Sequence, residues 1–171
     1  MDNLQELIIM ADNYGVIGFW IARVSHGYMS QWAHSKFIHD GNTFYSAEQF
    51  MMWGKANLFG DVKIAKEILR TKSPREQKEL GRKVRGFKNK IWNKNRESIV
   101  IQGNLLKFSQ NPDILSKLIN TGEKVLVEAS PSDTIWGVGL RPDNPDINNP
   151  NMWKGANLLG KCLMKVRHML K

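Results

Sequence analysis

The feature that most limits the fold of this chain is a series of helix start signals in the middle of the sequence. Ser46 is followed three residues later by Gln49, and Ser73 by Glu76, which is the spacing of a capping box. Pro74 stands at the first helical position after the second serine, where its missing N–H leaves no hydrogen bond unmade. Apolar residues then recur near a period of 3.6, which predicts amphipathic helices.

Strand signals are fewer and shorter. Residues 16–24 are apolar and β-rich, and residues 124–130 alternate in polarity, so each predicts a strand. Asp40-Gly41 lies between two short apolar runs and predicts a hairpin turn. Further helices are predicted at about 61–70, 74–84, 87–108, 112–120 and 152–170. With 171 residues, the chain is predicted to form a single compact domain with a helix-rich α+β fold and a few short strands.

The net charge and the cysteine content indicate which partners and which cellular environment to expect. The chain has 25 Lys and Arg against 16 Asp and Glu, a net charge of +9, and such a field attracts nucleic acid, nucleotides and phosphorylated metabolites. No apolar run approaches the roughly 18 residues of a membrane span. The single cysteine, Cys162, has no partner for an internal disulfide, which favours a reducing, cytoplasmic location.

The sequence lacks the motifs of several common nucleotide-binding and metal-binding sites. There is no phosphate-binding loop of the G-x-x-x-x-G-K-[ST] type and no dinucleotide fingerprint. The four histidines lack metal-ligand spacing, so neither a bound metal nor a cofactor is expected. Carboxylates, lysines and tryptophans remain as the candidate functional groups.

The first candidate cluster is on the helix that Ser46 begins. Glu48 is its second residue, where the helix dipole favours an ionised carboxylate. Lys55 follows seven positions later, two turns along nearly the same face. Either the pair faces a cleft, or Glu48 only complements the dipole and Lys55 is an exposed lysine.

Two further candidates lie in the last third of the chain. After the strand at 124–130 come Asp133, Trp136 and Gly137, which offer a carboxylate, a stacking plane and a close backbone approach to a ligand. They belong to a proline-rich loop at 131–150, and long loops are often functional. The alternative is that Asp133 forms a turn and Trp136 belongs to the core. Asn157 enters the last helix and either binds ligand or caps backbone.

Eight segments, taken in order, resemble the NADAR family, also called the YbiA-like or riboflavin-biosynthesis-intermediate N-glycosidase family. They are Gly18-Phe19-Trp20, Ser30-Gln31-Trp32, FYSAEQFMMWGKANLFGD (44–61), LGRKVRGF (80–87), the predicted helix with Trp92 and Arg96, GNLLKFSQNPDI (103–114), TGEKVLVEASPSDTIWGVGL (121–140) and WKGANLLGKCLMKVR (153–167). The resemblance covers about 150 residues. One departure is Gln31, where the family commonly has asparagine.

The resemblance implies a single α-rich, YbiA-like domain at residues 15–171 after an extension at 1–14. It implies cleavage of the N-glycosidic bond between ribose C1′ and a nitrogenous base, without a cofactor. Two substrates are associated with the family: ADP-ribose attached to guanine in nucleic acid, which we expect here, and phosphorylated ribosylamino-pyrimidines of riboflavin synthesis. An ADP-ribosyltransferase toxin is a conceivable partner. A non-catalytic module that binds ADP-ribose or nucleic acid is a further alternative.

The resemblance also assigns roles to residues. Glu48 would stabilise positive charge at C1′ or act as a general base, and Asp133 would orient ribose hydroxyls or water. Lys55, where the family has a lysine, would form a Schiff base with C1′, a route that we favour slightly over direct attack by water. Candidate substrate-binding residues are Trp32, Trp92 and Trp136 for stacking, Arg82 and Lys107 for phosphate, and Gly137 and Asn157 for ligand contacts.

Overall fold

The computed structural model describes residues 3–171, and it is a helix-rich α+β structure, as predicted. Its elements are α1 (Leu4–Tyr14), β1 (Val16–Phe19), β2 (Phe37–His39), β3 (Asn42–Phe44), α2 (Ala47–Leu58), α3 (Val62–Arg70), α4 (Pro74–Arg82), α5 (Asn89–Ser109), α6 (Pro112–Ile119), β4 (Val125–Glu128) and α7 (Leu158–Met169). Short 3₁₀ helices occur at Gly27–Met29, Pro145–Asn148 and Pro150–Met152. In this described part of the chain, no helix combines the length and apolar character needed to span a bilayer.

The structure divides into two compact units. The central unit is Gln31–Pro112, and the terminal unit combines residues 3–30 with Asp113–Lys171. The predicted boundary between an extension at 1–14 and a domain at 15–171 stays a prediction. Residues 4–14 of that extension are helical, as α1, and this helix packs against β4.

The central unit begins with the predicted hairpin. Strands β2 and β3 pair antiparallel, with Phe37 opposite Phe44. The turn residues Asp40 and Gly41 have φ values of 47° and 73°, the left-handed conformation that a two-residue hairpin turn needs. Phe37 and Phe44 pack with Phe50 of α2, so the hairpin is fixed to the helices by an aromatic core.

Helix α2 is the centre of this unit, because it packs against α3, α4 and α5. Ser46 caps it by accepting a hydrogen bond from the N–H of Gln49 at 3.1 Å. The Gln49 side chain accepts from the N–H of Tyr45, one residue before the partner of an ideal capping box. The Ser46 hydroxyl donates to Gln77 of α4 at 2.8 Å, so the start of α2 is tied to a neighbouring helix.

The terminal unit is built on a parallel pair of strands. Val16–Phe19 pairs with Val125–Glu128, and α7 packs against β4. The strand predicted at 16–24 ends at Phe19, because the chain then turns, with the N–H of Val24 donating to the carbonyl of Ile21. Helix α7 comes close to β4: a Cβ on Gly160 would lie 2.1 Å from the carbonyl oxygen of Leu126.

Helix α7 begins at Leu158, although the sequence predicted a start near residue 152. Asn157 has φ 53°, a left-handed conformation that separates α7 from the 3₁₀ helix at Pro150–Met152. Gly155 lies in the intervening segment, where a Cβ would be 2.3 Å from the carbonyl oxygen of Gly137. The early start was wrong because tertiary packing overrides the apolar period in these residues.

Candidate functional site

Glu48 is a buried acidic residue in the first turn of α2. It is 3% exposed, and its backbone N–H donates to the carbonyl of Gln31 at 2.9 Å. The Ser46 cap fixes the helix start two residues earlier. A carboxylate at this position lies at the positive end of the helix dipole. The fold therefore places a carboxyl group in a buried position at the start of α2.

Gln31 is held next to the start of α2 by α5. The Nδ2 of Asn104 donates to Gln31 Oε1 at 2.9 Å and to the carbonyl of Val100 at 2.9 Å. Both amide side chains are buried. Gln31, the departure from the common family pattern, thus has a fixed orientation. Sequence reasoning missed Asn104, whose signal is a polar residue within the apolar period of α5.

Lys55 lies at the other end of α2 in an aromatic environment. Its Nζ donates to the carbonyl of Gly81 at 2.8 Å and lies 4.4 Å and 5.6 Å from the ring centroids of Phe87 and Trp92. Burial lowers the pKa of Lys55, the positive charge of Arg82 lowers it further, and Glu48 opposes both effects. Lys55 therefore releases its proton more readily than a surface lysine does.

Close contact between α2 and α4 fixes the partner of Lys55. A Cβ on Gly81 would lie 2.0 Å from the sulfur of Met52, so any larger residue here would have to displace the Met52 side chain. The close contact brings the carbonyl of Gly81 to the lysine. The structure thus gathers Glu48, Lys55, Arg82 and Trp92 of the predicted residues into the central unit.

The four predicted substrate-binding residues of the central unit differ in exposure. Trp92 is buried and Arg82 is exposed. Trp32 is 43% exposed, and the Nζ of Lys78 lies 5.9 Å from its ring centroid. Lys107 is fully buried, which lowers its pKa to about 7. The phosphate contact predicted for Lys107 stays a prediction.

Asp133, in the terminal unit, forms a turn. Its Oδ1 accepts hydrogen bonds from the N–H groups of Ile135 and Trp136 at 2.9 Å and 2.8 Å. Gly137 follows, and a Cβ there would lie 2.8 Å from the carbonyl oxygen of Glu128 and 2.9 Å from that of Asp133. The glycine is required by this close packing of backbone. Trp136 is partly buried.

Asn157 connects α7 to strand β4. Its Oδ1 accepts from the N–H of Glu128 at 3.1 Å, and its Nδ2 donates to the carbonyl of Leu126 at 2.9 Å. Its own N–H donates to the carbonyl of Gly137 at 3.2 Å, and the residue is completely buried. These contacts bind main chain of β4 and of residue 137, and the ligand contact predicted for Asn157 stays a prediction.

Residues 18–171 match the NADAR domain. The chain belongs to the NADAR family. It is 53% identical over 125 residues to an N-glycosidase of Acanthamoeba polyphaga mimivirus, a match covering 72% of this chain and 73% of that protein. The solved structure of E. coli YbiA superposes with a TM-score of 0.74 and 28% identity, covering 91% of this chain and 84% of that one.

A third relative is a larger protein. The chain is 33% identical over 108 residues to the chloroplastic riboflavin biosynthesis protein PYRR of Zea mays. That match covers 61% of this chain but only 16% of the maize protein. The YbiA superposition supports the predicted YbiA-like fold.

Proposed function

We propose that this NADAR protein is an N-glycosidase that hydrolyses the bond between ribose C1′ and a nitrogenous base. The observation that carries the proposal is the environment of Lys55, where burial and Arg82 lower the pKa of an amine on the same helix as buried Glu48. Lowering the pKa of an amine increases its neutral, nucleophilic fraction. The mimivirus relative, named an N-glycosidase, supports the same reaction class.

The reaction that suits these groups passes through a Schiff base. A ribosylamine opens its ring to give an imine at C1′, and the neutral Nζ of Lys55 adds to that carbon. The bond from C1′ to the base nitrogen then breaks, and a proton goes to the leaving nitrogen. Water hydrolyses the lysine imine and releases the free sugar with the regenerated amine. Glu48 stabilises the positive charge and relays protons.

Direct attack of water on C1′ is the alternative route. It needs a carboxylate to take the proton of the water and leaves no covalent link to the protein. Asp133, proposed to orient ribose hydroxyls or water, contributes to either route. Reduction with borohydride during turnover distinguishes the two, because it traps a lysine imine as a stable adduct and leaves the water route without one.

For the substrate, we propose ADP-ribose attached to guanine in nucleic acid. The net charge of +9 supports a substrate that belongs to a polyanion. A protein that removes this modification acts against an ADP-ribosyltransferase, which makes such a toxin a conceivable partner. The reaction needs no cofactor, and we propose that it occurs in the cytoplasm.

The second candidate substrate is a phosphorylated ribosylamino-pyrimidine of riboflavin synthesis. The name of the maize relative favours it. This substrate is also anionic, so charge alone does not separate it from the first. A non-catalytic module that binds ADP-ribose or nucleic acid is the third candidate, and it would have no need of a lysine with a lowered pKa.

Mass spectrometry of the products tests the proposal. The protein is incubated with DNA carrying ADP-ribosylated guanine and, separately, with the ribosylamino-pyrimidine phosphate. We expect release of ADP-ribose from the first substrate by the wild type and none by Glu48→Gln. Release from the second substrate alone would replace the proposed substrate with the runner-up. If neither substrate is cleaved, the chain is a binding module and the proposed activity is wrong.

A further inference from the structure

The terminal unit contains a cleft that the proposed reaction does not use. Its volume is about 600 Å³, and it lies between the loop at residues 24–28 and the segment that leads from the end of α6 to β4. Its polar and charged lining consists of Ser25, His26, Tyr28, Lys117, Asn120, Thr121 and Lys124. None of these residues belongs to the predicted catalytic or substrate-binding set.

The loop on one side of the cleft is rigidly built. His26 has φ 61°, an uncommon conformation for a residue with a side chain. A Cβ on Gly27 would lie 2.5 Å from the carbonyl oxygens of both Ile21 and Ala22, so the turn closes tightly. The Tyr28 hydroxyl donates to the carbonyl of Lys117 at 3.1 Å and joins the loop to α6. The cleft is therefore largely preformed.

The other side of the cleft is positively charged. Lys117 and Lys124 line it, and its lining includes no Asp or Glu. Behind it, the buried guanidinium of Arg167 donates through Nη1 to Thr121 Oγ1 at 2.8 Å and to the carbonyl of Lys124 at 2.9 Å. The nearest acidic neighbour in sequence, Glu123, is paired with Lys171. The local field therefore attracts an anion.

The end of α6 does not cancel this field. The last carbonyls of a helix carry partial negative charge and would repel an anion. Here they are engaged: the carbonyl of Lys117 accepts from Tyr28, that of Leu118 from the Thr121 hydroxyl at 2.6 Å, and that of Ile119 from the N–H of Gly122 at 3.0 Å. The two ammonium groups therefore dominate the electrostatics of the wall.

We propose that this cleft binds the terminal phosphate of a nucleotide. A terminal phosphate carries close to two negative charges, which match the ammonium groups of Lys117 and Lys124. The Asn120 amide supplies a neutral donor, and Ile17 and Val24 supply apolar surface for the attached nucleoside. None of the lining residues is among the groups assigned to glycoside hydrolysis, and occupancy of the cleft does not depend on that reaction.

The test is an amide NMR titration with inorganic phosphate, AMP and adenosine at constant ionic strength. We expect saturable shifts of the amides at residues 24–28 and 117–124 with phosphate and AMP, at millimolar Kd, and none with adenosine. The double variant Lys117→Glu/Lys124→Glu should weaken binding at least tenfold. Lys63→Glu/Lys66→Glu on α3, which makes the same charge change at exposed positions, should leave it unchanged.

Two further arms keep the proposal falsifiable. If the charge-reversal variant fails to fold, Lys117→Gln/Lys124→Gln replaces it, with the same expectation in direction. Oligonucleotides with and without a 5′-phosphate separate a terminal phosphate from the phosphodiester backbone. Equal shifts from both oligonucleotides, equal weakening in the α3 variant, or no shift at tens of millimolar phosphate would each overturn the proposal. Glycosidase activity is not a readout of this test.

Discussion

The two units of this protein use polar side chains in different ways. In the central unit, Glu48 and Lys55 bring ionisable groups into a protected environment, and the pKa of Lys55 is lowered as a result. In the terminal unit, Asp133 and Asn157 bind the main chain, with two hydrogen bonds from each side chain. Lys55 therefore has an altered proton affinity, whereas Asp133 and Asn157 hold backbone.

The difference shows what makes a polar residue a strong functional candidate. Asn157 is as deeply buried as Glu48, yet its amide oxygen and nitrogen both serve strand β4. Burial alone therefore does not identify a reactive group. A perturbed pKa with a named physical cause is the more informative property, because it changes how the group exchanges protons.

The largest expected effect comes from Glu48→Gln. The change keeps size and shape and removes the charge, so we expect turnover to fall by about 10³-fold or more while the Tm stays within a few degrees. The matched variant is Asp133→Asn, in which the amide oxygen still accepts both turn hydrogen bonds. If Asp133 acts through its charge, this variant also loses activity with an unchanged Tm.

These two variants sharpen the comparison between the units. Initial rates and thermal melts are measured for both under the same conditions. Full activity in Asp133→Asn would leave that residue a purely structural role. Retention of most activity in Glu48→Gln would remove Glu48 from the mechanism, whatever happens at Asp133.

Lys55→Arg is expected to cost about 10²-fold or more in turnover, because a guanidinium stays protonated and cannot form the imine. In the wild type, the lowered pKa of Lys55 places more neutral amine near neutrality than a surface lysine offers. The rate should therefore rise with pH and level off below the ordinary lysine range. The measurements are a pH–rate profile and mass spectrometry of borohydride-treated protein.

The presence or absence of the borohydride-trapped adduct tests this prediction. A covalent mass on the wild type that is missing from Lys55→Arg supports the Schiff base. Turnover without any trapped adduct, together with an active arginine variant, would move the mechanism to direct attack by water.

Asn157→Ala should reduce stability and not chemistry. It leaves the N–H of Glu128 and the carbonyl of Leu126 without this partner and puts alanine at φ 53°, for a combined cost of about 3 kcal/mol. Asn157→Gly also loses the amide hydrogen bonds, but glycine adopts φ 53° without strain, so it should destabilise the protein less than Asn157→Ala does. Urea unfolding of both variants checks the order. Equal stability of wild type and Asn157→Ala would contradict the structural role.

Local signals explain which parts of the fold the sequence revealed. The cap at Ser46, the turn at Asp40-Gly41 and the start of α4 at Pro74 were predictable because neighbouring residues determine them. The late start of α7 depends on contacts between Gly155 and residue 137, which no local pattern encodes. Asn104 and Gln31 are 73 positions apart, so no local pattern could predict their hydrogen bond either.

The same limit applies to the candidate site. The sequence placed Glu48 and Lys55 on one helix, because seven residues make two turns. It could not reveal that Gly81 supplies a carbonyl to Lys55, or that Phe87 covers its ammonium, since these contacts depend on how α4 and the loop after it pack. The sequence around Asp133 is compatible with a catalytic role and with a turn. Asp133→Asn separates these two roles, because it removes the charge and keeps an oxygen that accepts the turn hydrogen bonds.

The smallest expected effect is a pH dependence of stability that comes from Lys107, a buried lysine of the central unit. Its pKa is lowered to about 7 in the folded protein, from 10.5 for an unburied lysine. Between these values the unfolded chain binds more protons than the folded one, so stability should rise with pH by up to about 1.4 kcal/mol per pH unit. Lys107→Met should remove this contribution, whereas Lys66→Met at an exposed position should not.

Urea unfolding at several values between pH 7.5 and 9.5, the range that the two pKa values bracket, measures that slope. Titrations elsewhere in the chain affect all three proteins alike, so the difference between variants isolates the buried lysine. Identical slopes in wild type and Lys107→Met would mean that Lys107 keeps its proton throughout. In that case burial in the central unit would not by itself produce a neutral amine, and the lowered pKa of Lys55 would also require the positive charge of Arg82.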